Sequence, residues 1–246
     1  MNKRDQVYGI RALIFYILII IGLAFYADKS NASEPPTVPQ LLEDHMYYPA
    51  GEEGGIEWFP SLPNVIHFVG GVDEGLDAAI RKALIAHPEV DTISLFSGGG
   101  SVTAGLEAAI LIHEKGLTTY VPELGTCQSA CGFLFFAGKE RILGGTLGAH
   151  QVSVDIDVKV PVDLAYQEVQ NSTGYIMFYM KDWKVPQGYY IAMLLTVADD
   201  MYIFTDVESR LLEIGEDSGQ YDKIDELHEV RYGYLEAFHE WSAAQE

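Results

Sequence analysis

The sequence predicts an α/β fold with parallel strands, and three observations carry that expectation. Short runs rich in β-branched and apolar residues alternate with segments whose apolar residues recur at helical spacing. Glycines stand at the junctions, as Gly70-Gly71, Gly98-Gly99-Gly100 and Gly116. The chain has 246 residues, 48% hydrophobic and 12% aromatic, enough to supply the core of one sizeable domain.

The first 30 residues read differently from the rest. Lys3, Arg4 and Arg11 precede an apolar run from Ala12 to Tyr26 that only Gly22 interrupts. Basic residues before such a run mark export, and with Tyr8 to Ile10 its length nears that of a spanning helix. Ser30-Asn31-Ala32 offers small residues at the positions a signal peptidase reads. A signal-anchor helix and a cleaved signal peptide both fit residues 1–30. A buried core helix fits less well, because nothing polar interrupts the run. Residues 31–63 carry prolines, glycines and acids without periodicity and read as a linker or arm, so the domain is expected over 64–220.

Within that domain, Val65 to Val69 is a short strand ended by Gly70-Gly71. Leu76, Ile80 and Leu84 lie on one face of a helix from Asp73 to Ala86, with Asp73 as its cap. Thr92 to Phe96 is a second strand, and the glycine turn leads into a helix from about Val102 to Lys115, stopped by Gly116. Leu117 to Val121 is a third strand, and Ser129 to Ala137 reads as a buried helix. Short strands follow around Arg141–Leu143 and Ala149–Val152. Helices fill Pro161–Met180 and Gln187–Ala198, and Met201–Phe204 is a last strand. Residues 221–246 form an acidic C-terminal helix.

Charge narrows the function. With 36 acidic against 15 basic residues the net charge is −21, which repels a phosphate backbone and excludes nucleic acid as a partner. No cofactor or metal is expected, since the two thiols have no nearby histidine. Cys127 and Cys131 flank Ser129. An oxidising compartment permits a disulfide between them, and two buried thiols packed around the serine are the alternative.

Three short motifs carry chemistry. Gly98-Gly99-Gly100 follows a strand and opens a helix, where unblocked N–H groups can hold negative charge. No Gly-Lys-Ser or Gly-Lys-Thr follows, so it is not a phosphate loop. Ser129 lies among small residues, Ala130 and Gly132, and reads equally as a helix cap or a nucleophile. It is not the Gly-x-Ser-x-Gly elbow of α/β-hydrolases, since Cys127 replaces the first glycine. His150, after Leu147-Gly148-Ala149, is the best placed of seven histidines to take a proton from it.

Together these segments resemble the Clp protease proteolytic subunit and the crotonase-like superfamily, and are most similar to exported bacterial Clp-like proteins. The match runs through Ile93 to Leu106, Gln128 to Gly132, Phe136 to Arg141 and Ala149-His150-Gln151, within about residues 64–215. The resemblance implies a spiral of repeated β-β-α units with parallel strands behind the N-terminal hydrophobic helix. It implies Ser129 as nucleophile, His150 as general base, and Gly99, Gly100 and Ala130 as oxyanion-hole donors. For the acid, strict alignment falls on Met201, so neighbouring Asp200 is chosen, with Asp155 as rival. The chain departs from the family where Gly98 replaces a proline, where cysteines flank the serine, and over 153–198, which match the oligomerising handle only loosely.

The expected function is an exported or membrane-anchored serine peptidase acting on peptides or unfolded protein. It would sit at the bacterial inner membrane facing the periplasm, or in the periplasm after signal cleavage, and a homo-oligomer is possible. No ATP-driven unfoldase is implied there. An inactive Clp-like binding or assembly protein is the alternative. Acyl-thioester chemistry of the crotonase type is a third reading, set against the scarcity of coenzyme A outside the cytoplasm.

Overall fold

A computed structural model describes residues 39, 45–52, 54–153, 161–212, 214–216, 219 and 221–243. The segment over 1–30 and Asp155 lie outside the described residues, and among those described no helix is long and apolar enough to cross a membrane. The chain divides into two units, Asp44–His228 and the pair Met1–Glu43 with Glu229–Glu246. Everything described below lies in the first, except the last residues of the C-terminal helix.

That unit is α/β with a largely parallel central sheet. Elements are numbered in chain order. Strands β1 (Met46–Ala50), β2 (Gly54–Trp58) and β3 (Val65–Gly70) pair antiparallel in succession. From β3 onward β4 (Thr92–Phe96), β5 (Thr118–Val121), β7 (Arg141–Leu143) and β10 (Gly215–Glu216) are parallel neighbours, giving seven strands. A second sheet joins β6 (Thr126–Gln128) to β8 (Thr146–Ala149) in parallel and β8 to β9 (Tyr202–Ile203) antiparallel.

The sheet therefore begins well before residue 64, in a stretch whose prolines read as a linker. Those prolines are tolerated by position. Pro49 lies in the outermost strand, β1, where a missing N–H is harmless, and Pro60 and Pro63 flank the turn from β2 to β3. Residues Gly54–Glu57 are all buried, and Ile56 is fully enclosed in the core.

Helices α1 (Leu76–Ala86), α2 (Val102–Lys115) and α3 (Cys131–Phe136) follow β3, the glycine turn and β6. The first starts at Gly75, in the left-handed region at φ 91°, and not at Asp73. Asp73 serves elsewhere, accepting the Glu52 and Glu74 N–H groups at 3.1 and 2.7 Å and tying down the β1–β2 turn. The second has the expected span and stop, with Gly116 ending the helix at φ 64°, and Ser101 Oγ caps its start by accepting the Ala104 N–H. Every residue of α3 is buried, so this short helix is the centre of the core rather than a surface element. Helices α4 (Val162–Asp182), α5 (Gln187–Leu195), α6 (Asp206–Leu211) and α7 (Asp222–Ala243) complete the chain.

One row of the sheet is polar. Glu57, His67, Ser94 and Tyr120 stand side by side across β2 to β5 in register. The start of α7 lies over this row. His228 Nε2 is 3.2 Å from Ser94 Oγ, and the Tyr120 hydroxyl reaches both carboxylate oxygens of Asp225 at 2.7 and 2.8 Å. The acidic C-terminal helix thus starts against this row, and its Ile224 and Leu227 are buried.

Candidate active site

The meeting of the three motifs follows from strand register. A single parallel bridge joins Ser97 to Cys127, with Ser97 N–H on Thr126 O and Gln128 N–H on Ser97 O. The glycine turn is thereby fastened beside the end of β6. On the other side β6 pairs with β8, Gln128 opposite Gly148, and the Ser129 N–H continues the ladder to Gly148 O at 3.1 Å. Ser129 and His150 are the first residues past the two paired ends. They meet there, with His150 Nε2 2.7 Å from Ser129 Oγ.

Ser129 is held in a conformation that L-residues avoid. Its φ is 54°, one of two positive values among the described non-glycine residues. Such a backbone costs about 1–3 kcal/mol and persists only where its surroundings impose it. Here the Cys127–Cys131 disulfide closes directly around the serine, with Cα atoms 5.2 Å apart and both cysteines fully buried. The disulfide alternative thus holds over packed thiols. The left-handed residue also explains why α3 begins at Cys131 rather than at Ser129.

The glycine turn abuts the serine. A Cβ on Gly99 (φ 101°) would stand 2.5 Å from Ser129 Cβ and 3.1 Å from its Oγ. A Cβ on Gly100 (φ 147°) would stand 2.3 Å from Val72 O. Gly99 donates its N–H to Ser97 Oγ at 3.1 Å, so that donor is already engaged. Around Gly100 the bridge to Val72 uses Gly99 O and the Ser101 N–H, which turns the Gly100 N–H away from Val72. Neither Gly100 nor Ala130, at the start of α3, donates a backbone hydrogen bond among the described residues. Ala130 follows Ser129 directly and Gly100 follows the Gly99 that abuts it, so both unengaged N–H groups belong to residues adjoining this contact.

His150 is braced from behind. Gln151 donates its backbone N–H to Thr196 O at 2.9 Å and its side-chain amide to Leu194 O at 2.7 Å, hooking the end of β8 onto the end of α5. Nδ1 of His150 is buried and has no hydrogen-bond partner among the described residues. Asp200 does not reach it. That side chain is exposed and accepts the Met201 N–H at 2.8 Å, folding back on its own turn. The β8–β9 register, Gly148 with Ile203 and Ala149 with Tyr202, places Met201 opposite His150 at its next step. Met201, not an acid, stands at that step, and its Sδ lies over Gly148, 2.9 Å from where a Cβ there would stand.

A cavity of about 20 Å³ opens beside the pair, lined by Val102, Phe133, Val152, Met193 and Tyr189 as well as by Ser129 and His150. Sequence reasoning missed Tyr189 and Met193, because both come from α5, about 60 residues beyond the serine, and no local pattern marks them. The arrangement is a serine in hydrogen-bond contact with a histidine, near two N–H groups that donate no backbone hydrogen bond among the described residues, carried by a mixed α/β domain. No family model matches the chain, and no curated protein matches it.

Proposed function

We propose that this chain is a serine hydrolase of the Clp/crotonase-like spiral type, acting on peptides or unfolded protein by acyl transfer. The observation that carries the reading is the 2.7 Å contact between Ser129 Oγ and His150 Nε2, made by a serine held at φ 54° beside a glycine turn. In this reading Ser129 Oγ attacks the scissile carbonyl carbon while its proton passes to His150 Nε2. The carbonyl oxygen takes the negative charge and receives the N–H groups of Gly100 and Ala130. The C–N bond then breaks, and His150 returns the proton to the leaving amine. Water, deprotonated by His150, hydrolyses the acyl ester and restores the serine hydroxyl.

The parallel order of strands, the Ser…His order along the chain and the glycine turn against the nucleophile support the Clp-like assignment. The apolar run at residues 12–26 supports an exported protein, anchored at the bacterial inner membrane or released into the periplasm. The exposed apolar residues of α4, among them Tyr166, Tyr175 and Phe178, are consistent with a homo-oligomer. One observation favours a second reading, a binding or assembly protein without catalysis: the buried Nδ1 of His150 lacks an acceptor among the described residues, so nothing there orients the imidazole.

Hydrolysis of a fluorogenic peptide pool separates the two. The peptidase reading expects Ser129→Ala and His150→Ala each to lower the rate at least about 100-fold with the fold intact. Equal rates in the wild type and Ser129→Ala would leave only the binding protein.

A further inference from the structure

The cavity beside Ser129 combines apolar walls with a single polar group that nothing else uses. Tyr189 is 1% exposed and lines the cavity, yet its hydroxyl makes no hydrogen bond among the described residues. Its ring is fixed, packing edge-on against Phe136 at 4.5 Å and stacked on Phe204 at 5.4 Å between centroids. Its hydroxyl fits against Gly132, where a Cβ would stand 2.0 Å from the oxygen. Gly132 is therefore the space that lets a phenol, rather than a bare ring, occupy this position. Burial alone pushes the phenol well above its ordinary pKa, so it remains a neutral donor and acceptor at any physiological pH.

The hydroxyl is not sealed from solvent: it opens toward the cavity, where a ligand group can reach it. A site that hydrogen-bonds a ligand hydroxyl discriminates strongly against ligands that lack the group. The space is small. A cavity of about 20 Å³ exceeds the roughly 10–15 Å³ that one water needs, enough for the hydroxyl or methyl of a short side chain but not for a longer aliphatic or aromatic one. Val102, Phe133, Val152 and Met193 exclude charge from its walls.

We infer that this cavity receives the side chain on the acyl side of the scissile bond and that Tyr189 selects there for a small hydroxyl-bearing residue, serine or threonine. The inference rests on the serine hydrolase reading and deepens it. The carbonyl under attack lies at Ser129 Oγ, and the side chain one bond away enters the adjacent cavity. Its hydroxyl exchanges a hydrogen bond with Tyr189 while Phe133 and Met193 enclose the Cβ. Leucine, phenylalanine and lysine at this position are too large.

The test uses one peptide scaffold with serine, alanine, threonine, valine, leucine or phenylalanine before the scissile bond, cut by the wild type and by Tyr189→Phe. Fluorophosphonate labelling of Ser129 is measured in parallel as an index of the intact nucleophile. The wild type is expected to prefer serine over alanine and threonine over valine by about 10–100-fold in kcat/KM, and to leave leucine and phenylalanine uncut. Tyr189→Phe keeps the ring packing, so Ser129 should still be labelled while both ratios fall to near one. A second variant, Gly132→Ala, drives the hydroxyl from its place and should abolish the same preference. A wild type that cuts alanine and serine alike, or a Tyr189→Phe that keeps the preference, overturns the inference while the hydrolase reading stands. A wild type that neither labels nor cuts any peptide overturns both.

Discussion

Gly99→Ala tests whether the glycine turn and Ser129 form one unit. The new Cβ would lie 2.5 Å from Ser129 Cβ and 2.8 Å from Gln128 O. Carbon atoms at rest stand about 3.5 Å apart or more, so the turn and the serine must separate by roughly 1 Å. Neither side yields cheaply, since Ser97 and Cys127 are bridged just behind the contact and the disulfide holds Ser129 in place. The φ of 101° adds strain of about 1–3 kcal/mol for any residue with a Cβ. Overpacking adds a similar amount, about 1–3 kcal/mol. For a chain of this size the sum lowers Tm by roughly 5–20 °C. Displacement of about 1 Å at the reacting atom costs on the order of 100-fold in rate. Calorimetry and peptide hydrolysis measure the two effects. Gly98→Ala is the control, because nothing lies within 4 Å of its Cβ position and its φ is unexceptional. A Gly99→Ala protein with wild-type Tm and wild-type kcat/KM would refute the close approach on which the site is built.

Three other outcomes follow from the same geometry. Met201→Asp places a carboxylate opposite His150 and supplies the missing acceptor for Nδ1, so kcat should rise, by about tenfold or more given the orienting role of such an acid; an unchanged or lower kcat in a folded variant would show that the register does not aim that side chain at His150. The paired Cys127→Ala, Cys131→Ala variant loses a short cross-link worth about 2 kcal/mol, and Ser129 should relax from φ 54°, so that calorimetry shows a modest drop in Tm while fluorophosphonate labelling slows far more. Asp225→Ala strips the acceptor from the Tyr120 hydroxyl and from the Glu123 N–H, and urea unfolding should record a loss of about 1–3 kcal/mol with labelling of Ser129 unchanged.

Much of the α/β alternation was legible because its signals are local. The Gly116 stop and the alternation of β4, α2 and β5 depend on residues a few positions apart, and the structure places those boundaries within a residue. The β1–β2 hairpin was hidden because proline density masks strands at a sheet edge, where proline does no harm. The last strand before His150 was shifted by three residues, since pairing with β6 fixes β8 at Thr146–Ala149 and no local pattern reveals a partner. The site divides the same way. Ser129, His150 and the glycine turn carry recognisable residue types and lie at strand ends, where the register brings them together. Asp200 was chosen for its chemistry, but its carboxylate turns back onto the Met201 N–H, and the register from β8 to β9 sets Met201 at the next step. Tyr189 and the His228–Ser94 contact span about 60 and 134 residues respectively, distances over which periodicity says nothing.

Catalysis by this site requires Ser129 to be a nucleophile activated by His150. Treating the purified protein with a fluorophosphonate and mapping the adduct by peptide mass measures this most directly. A single adduct on Ser129, absent in Ser129→Ala and formed at least about 100-fold more slowly in His150→Ala, is the predicted result. No adduct on the wild type, an adduct at another residue, or equal labelling of His150→Ala would contradict it.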